Sequence, residues 1–90
     1  MLRDGNENVR DHGEYFAALV AGRQFSLTYM ERQVLRWSAA GKSSCEIAVI
    51  LKRSESAVNF HFCNIREKFG VSSRHTAVLM ALYEGLIDFP

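Results

Sequence analysis

In the stretch SESAVNFHFCNIREKFG, Ser54 to Gly70, an amide, an aromatic ring and a thiol stand at spacings of one and three residues: Asn59, Phe60 and Cys63. On a helix those spacings share one face. An asparagine amide pairs bidentately with adenine in a DNA major groove, and an apolar side chain beside it contacts a thymine methyl. Direct base readout is therefore one use of this face. The other is ordinary packing, with Phe60 set against a neighbouring helix or a dimer partner.

Other reactive side chains assemble into nothing comparable. The spacing of His61, Cys63 and His75 fits no usual zinc site, and Cys45 belongs to a different segment, so no metal is expected. AAGKSS ends like a phosphate-binding loop, but Arg36 stands where that loop needs glycine, so it reads as a helix stop followed by a cap. No paired carboxylates and no nucleophile with a base stand out, so the chain is read as a non-enzyme without catalytic residues or a cofactor.

Winding the segment at about 100° per residue shows what positions these groups. Val58, Phe62, Ile65 and Phe69 fall in a narrow stripe that should be core. Ser56, Asn59, Phe60, Cys63 and Glu67 lie broadly opposite, with Arg66 on the flank and His61 on the boundary. Ser54 can cap this helix, Glu55 complements its positive end, and Gly70 closes it.

Ahead of it, Thr28 and Glu31 form a capping box, with Leu27 placed as a staple, for a helix of about residues 29–40 that stops at Gly41. Ser43 or Ser44 caps a second helix whose buried face is expected to be Ile47, Ala48, Ile50 and Leu51. Ser72 or Ser73 opens a further helix from Arg74 to about Glu84, ended by Gly85. In it Val78, Ala81 and Leu82 should face the core, and Thr76, Leu79, Met80 and Tyr83 form an adjacent patch that a monomer leaves partly exposed. A short helix over Asp11 to Ala21 would carry Tyr15, Phe16, Leu19 and Val20 as its apolar stripe. Helices joined by links of three or four residues make an all-α domain, and a serine-capped second member is what a helix-turn-helix looks like.

Ninety residues, 48% of them apolar, suffice for one small domain. The expected division is an N-terminal extension, residues 1–24, and a folded unit, residues 25–90. No run of about 18 apolar residues occurs and the charged N-terminus is unlike a signal peptide, so a cytoplasmic protein without a membrane partner is expected. Two cysteines, read as reduced, agree with that compartment. Net charge is +1, but it is unevenly placed: residues 42–75 hold six basic against three acidic side chains, whereas residues 1–24 are net negative. A phosphate-binding face and a plain solvated face both account for such an asymmetry.

From Leu27 to Ile87 the residues resemble a known family. LT…ER.VL, GKS..EIA..L, SE..V..H..NI..K and V.SR..AV together look like the LuxR-type, or GerE-like, helix-turn-helix domain of bacterial transcription regulators, and span about two thirds of the chain. AVNFH looks most like the quorum-sensing branch, whose regulators usually carry an acyl-homoserine-lactone-binding domain ahead of the DNA-binding one.

The resemblance implies a four-helix domain that binds double-stranded DNA as a homodimer, with residues 55–69 in the major groove and the last helix pairing two subunits. It implies base-facing roles for Asn59, Phe60 and Cys63. Lys42, Ser43, Ser44 and Ser56 would lie near the sugar-phosphate backbone, with Arg66, Lys68 and Arg74 adding phosphate contacts, and Thr76, Leu79, Met80 and Tyr83 in the dimer interface.

Two residues depart from the pattern: Ala57 stands where threonine is common, and Cys63 where a basic or longer polar residue is frequent. Both point to weaker or narrower recognition. If these ninety residues are the whole natural protein, there is no room for a lactone-binding or receiver domain. Residues 1–24 look native rather than like a tag, so a stand-alone regulator is expected ahead of a domain cut from a longer chain. The alternatives are a protein-interaction module that pairs with another regulator and, further off, the promoter-reading segment of a sigma factor.

Overall fold

The computed structural model describes residues 25–88. They form α1 (Tyr29–Ala39), α2 (Ser44–Leu51), α3 (Glu55–Phe69) and α4 (Arg74–Tyr83), with no strand among the described residues. The extension and its expected short helix lie outside them.

Local chemistry sets the boundaries. The Thr28 hydroxyl accepts from the Glu31 N–H at 3.0 Å while the Glu31 carboxylate accepts from the Thr28 N–H at 2.9 Å. Ser43 and Glu46 repeat this capping box at α2, so Ser43 rather than Ser44 is the cap. Ser54 caps α3 alone, and Ser73 caps α4. Each cap satisfies backbone donors that a helix start leaves free. At the other end of α3 the chain must turn left-handed, and Gly70, at φ 71°, does so without a Cβ penalty. The equivalent position after α2 is Lys52, at φ 58°.

α3 packs against each of the other three helices. Its stripe of Val58, Phe62, Ile65 and Phe69 is fully buried, and Phe62 and Phe69 are the largest side chains in the core. Burying each ring contributes about 1.5–3 kcal/mol. Val34 and Leu35 from α1, Ile47 from α2, and Ala77, Met80 and Ala81 from α4 complete the centre. Phe25 meets Phe69 edge-on, with centroids 4.9 Å apart.

Two expectations about faces need correction. Ile50 is 38% exposed and Leu51 half-buried, so α2 buries Ile47 and Ala48 instead of a four-residue face. At about 100° per residue Ile50 sits about 60° beyond the sector held by residues 47, 48 and 51, on the solvent side of this short helix. Met80, expected in the exposed patch, is only 1% exposed. α4 contacts both α1 and α3, so its buried sector runs from Val78 round to Met80, and Leu82 is left half-buried at the far edge.

Candidate nucleic-acid interface

The outward face of α3 is as the winding predicts: Asn59, Phe60, Cys63, Ser56 and Glu67 are exposed, with Phe60 at 63%. An aromatic ring so exposed gives up burial that the core would have rewarded, which makes it informative.

A hydrogen-bonded triad flanks this face. Arg74, the first residue of α4, lays its guanidinium 3.9 Å from the centroid of the Phe62 ring. Its Nη2 group donates to the Ser44 hydroxyl at 2.6 Å and to the Asn59 amide oxygen at 3.2 Å. The Ser44 hydroxyl, at the first residue of α2, donates to the same Asn59 oxygen at 2.9 Å. The starts of α2 and α4 are thereby tied to the second turn of α3. Helix N-termini carry partial positive charge and free N–H groups, so their position beside α3 suits phosphates. Burial and the nearby positive Arg66 hold the Arg74 guanidinium below its ordinary pKa, and its hydrogen-bond partners among the described residues are neutral.

The remaining candidates divide. Lys42 is exposed, at the edge of a shallow apolar depression with Cys45, Val49 and Ile50. The Ser43 hydroxyl accepts from the Glu46 N–H at 3.2 Å, and that of Ser56 lies 3.2 Å from the Ser54 hydroxyl. Arg66 is half-buried along a cleft that also holds Ser73 and Thr76. On α4, Leu79 and Tyr83 are exposed and Thr76 half-buried, while Met80 belongs to the core.

Lys68 is placed otherwise than the phosphate role supposes. Its ammonium lies 2.7 Å from the Glu31 carboxylate and donates to the Ser26 carbonyl at 3.0 Å. Glu31 is 2% exposed, the one charged side chain buried among the described residues. Burial opposes its charge, but the Lys68 ammonium, the Thr28 N–H and His61 together outweigh it and hold the carboxyl below its ordinary range. Two of the three Lys68 donors are thus engaged within the fold, where the side chain joins α3 to α1.

The sequence pattern assigns Arg53 and Lys52 no role. Both are exposed in the link leading into α3. Two basic residues directly before a serine cap were the available signal.

The family of bacterial regulatory proteins, luxR family, matches over residues 25–81. Over 61 residues the chain is 51% identical to the HTH-type quorum-sensing regulator RhlR of Pseudomonas aeruginosa, which covers 68% of this chain and 25% of that protein. It is 38% identical over 69 residues to the regulatory protein SdiA of Escherichia coli, covering 77% of this chain and 29% of the relative. The chain thus spans about a quarter of the length of the curated relatives it matches. Among solved structures the transcription factor GerE superposes with a TM-score of 0.67 at 35% identity, covering 69% of this chain and 92% of GerE.

Proposed function

From the premise that the chain belongs to the luxR family of bacterial regulatory proteins, we propose that residues 25–90 bind double-stranded DNA sequence-specifically, with α3 in the major groove, and regulate transcription. The observation that carries this reading is the arrangement about α3: an exposed Asn59, Phe60 and Cys63, with the starts of α2 and α4 fastened beside them through Ser44 and Arg74. An α-helix fits the major groove, and flanking helix starts meet the phosphates that fix its register.

In this reading Asn59, Phe60 and Cys63 face bases. Lys42, Arg66 and the link residues Lys52 and Arg53 supply positive charge toward the backbone, with Ser43, Ser44 and Ser56 near it. Lys68 is left out because its charge is spent on Glu31. Two copies would pair through Leu79, Tyr83 and the edge residue Thr76 on α4, which suits a two-fold operator. Among the described residues no helix is long and apolar enough to cross a membrane.

A salt titration of binding to duplex DNA tests the reading. Affinity should fall steeply, with a slope of about 0.9 in log–log terms for each phosphate neutralised, and sedimentation on a palindromic duplex should find two chains bound. Salt-independent binding, or none to any duplex selected from a random pool, would refute it.

A second reading rests on exposed apolar groups. Phe60, Val49 at 73% and Ile50 at 38% are more than a purely polar reader of DNA requires. A module that pairs with another regulator would use them, and it would hold that partner tightly while selecting no duplex.

A further inference from the structure

Asn59 is held in one orientation by Arg74, which can only donate to it, and Ser44 donates to the same oxygen. Arginine has five N–H donors and no acceptor, so the amide atom that faces Arg74 Nη2 must be the oxygen. Arg74 Nη2 also donates to the Ser44 oxygen, leaving the Ser44 proton to go to the same Asn59 oxygen. A carbonyl oxygen has two lone pairs, and here Ser44 and Arg74 take both. The Nδ2 group, without a partner among the described residues, is what remains at the exposed position.

We infer that Asn59 is a donor-only reader, set by Arg74 and Ser44 to recognise a hydrogen-bond-accepting base edge, guanine before adenine. The inference rests on the DNA-binding reading above. The usual bidentate match of asparagine to adenine needs a free amide oxygen to receive adenine's N6–H group as well as an NH2 group to reach N7. Asn59 lacks the first half. Facing an adenine it would reach N7 alone, and facing cytosine it would set donor against donor. Guanine offers O6 and N7 side by side, both acceptors. Arg74 and Ser44 act here as positioning residues, Arg74 braced across the Phe62 ring so that its fork stays in place.

The test compares duplexes selected from a random pool by the unmodified protein, by Asn59→Ala, by Ser44→Ala and by Arg74→Met. Asn59→Ala identifies the base pair concerned as the one where discrimination vanishes. The unmodified protein should prefer guanine there over adenine by roughly fivefold or more. Ser44→Ala and Arg74→Met each release a lone pair of the Asn59 oxygen, so the guanine-to-adenine ratio at that pair should shrink or reverse. Methionine keeps an unbranched apolar side chain at the residue that covers Phe62, and Ser44 is only partly buried, so a melting curve that matches the parent establishes that each variant is folded; should Arg74→Met unfold, Ser44→Ala decides alone.

Because the readout is a ratio between two bases at one position, loss of a phosphate contact, which lowers affinity for all sequences alike, leaves it unchanged. A selected site with adenine opposite Asn59, or variants that keep the parent's ratio, would overturn the inference while leaving DNA binding intact. Selection of no sequence at all would bring down the DNA-binding reading and this inference with it.

Discussion

The Lys68 ammonium nitrogen lies 2.7 Å from the Glu31 carboxylate oxygen, joining the last turn of α3 to the first turn of α1. Glu31 is buried and the Lys68 side chain is 36% exposed, so removing Lys68 leaves the carboxylate without its partner while water reaches part of the vacated site. Lys68→Ala should therefore destabilise the fold by about 1–2 kcal/mol, between the exposed and the buried case, read from urea unfolding. The salt slope of DNA binding, measured well below the melting temperature, should stay as in the parent, whereas Lys42→Ala should lower it by about 0.9. A lowered slope for Lys68→Ala would return Lys68 to the phosphate contacts.

The same pair sets an acid limit. The Glu31 carboxyl titrates below its ordinary value of 4.5 in the folded chain. Its contribution to stability is accordingly present above that value and is lost as pH falls through the lower, folded one. Thermal unfolding followed from pH 7 downward should show the melting temperature dropping below roughly pH 4.5. Glu31→Gln, which keeps an acceptor for the Thr28 N–H, should melt lower at pH 7 and lose less on acidification. Parallel curves for the two proteins would mean that the Glu31 charge stabilises nothing.

On α4 two neighbours should part company. Met80→Ala removes a core side chain and should cost about 2–5 kcal/mol of folding stability. Leu79→Asp alters an exposed position and should leave the monomer's melting temperature nearly unchanged. It should instead weaken self-association and cooperative binding to a palindromic duplex, as read by sedimentation. Equal loss of stability from both changes would remove Leu79 from the proposed subunit contact.

Phe62 and Phe60, two residues apart, give a matching contrast on α3. Phe62→Ala should destabilise by about 3–5 kcal/mol, since the ring is fully buried and Arg74 lies on its face. Phe60→Ala should change melting little and reduce binding to the selected duplex. Urea unfolding and a gel shift on the same preparations separate the two effects.

What was legible in the sequence is what is encoded locally. The Thr28, Ser43, Ser54 and Ser73 caps act within three residues of themselves, so residue type and spacing suffice to find them. The α3 stripe was legible because one helix with one dominant buried face obeys a single period. Met80 escaped because α4 meets two helices, which widens its buried sector beyond what one stripe suggests. Lys68 and Arg74 escaped for a different reason. Their partners lie 37 and 30 residues away, and no periodicity within a helix reports a bond to Glu31 or Ser44 across that separation. In the sequence alone both look like positive charges available to phosphate, whereas the fold gives each an intramolecular partner.

The link between α2 and α3 turns on Lys52, a side-chain-bearing residue in the left-handed region. That backbone costs roughly 1–2 kcal/mol relative to glycine, which would take the turn freely. Glycine there would ease the bend but loosen the unfolded chain and strip a cation from the approach to α3. Under the DNA-binding reading proposed above, this turn would thus set conformational comfort against long-range attraction of a polyanion, with lysine on the side of the faster encounter.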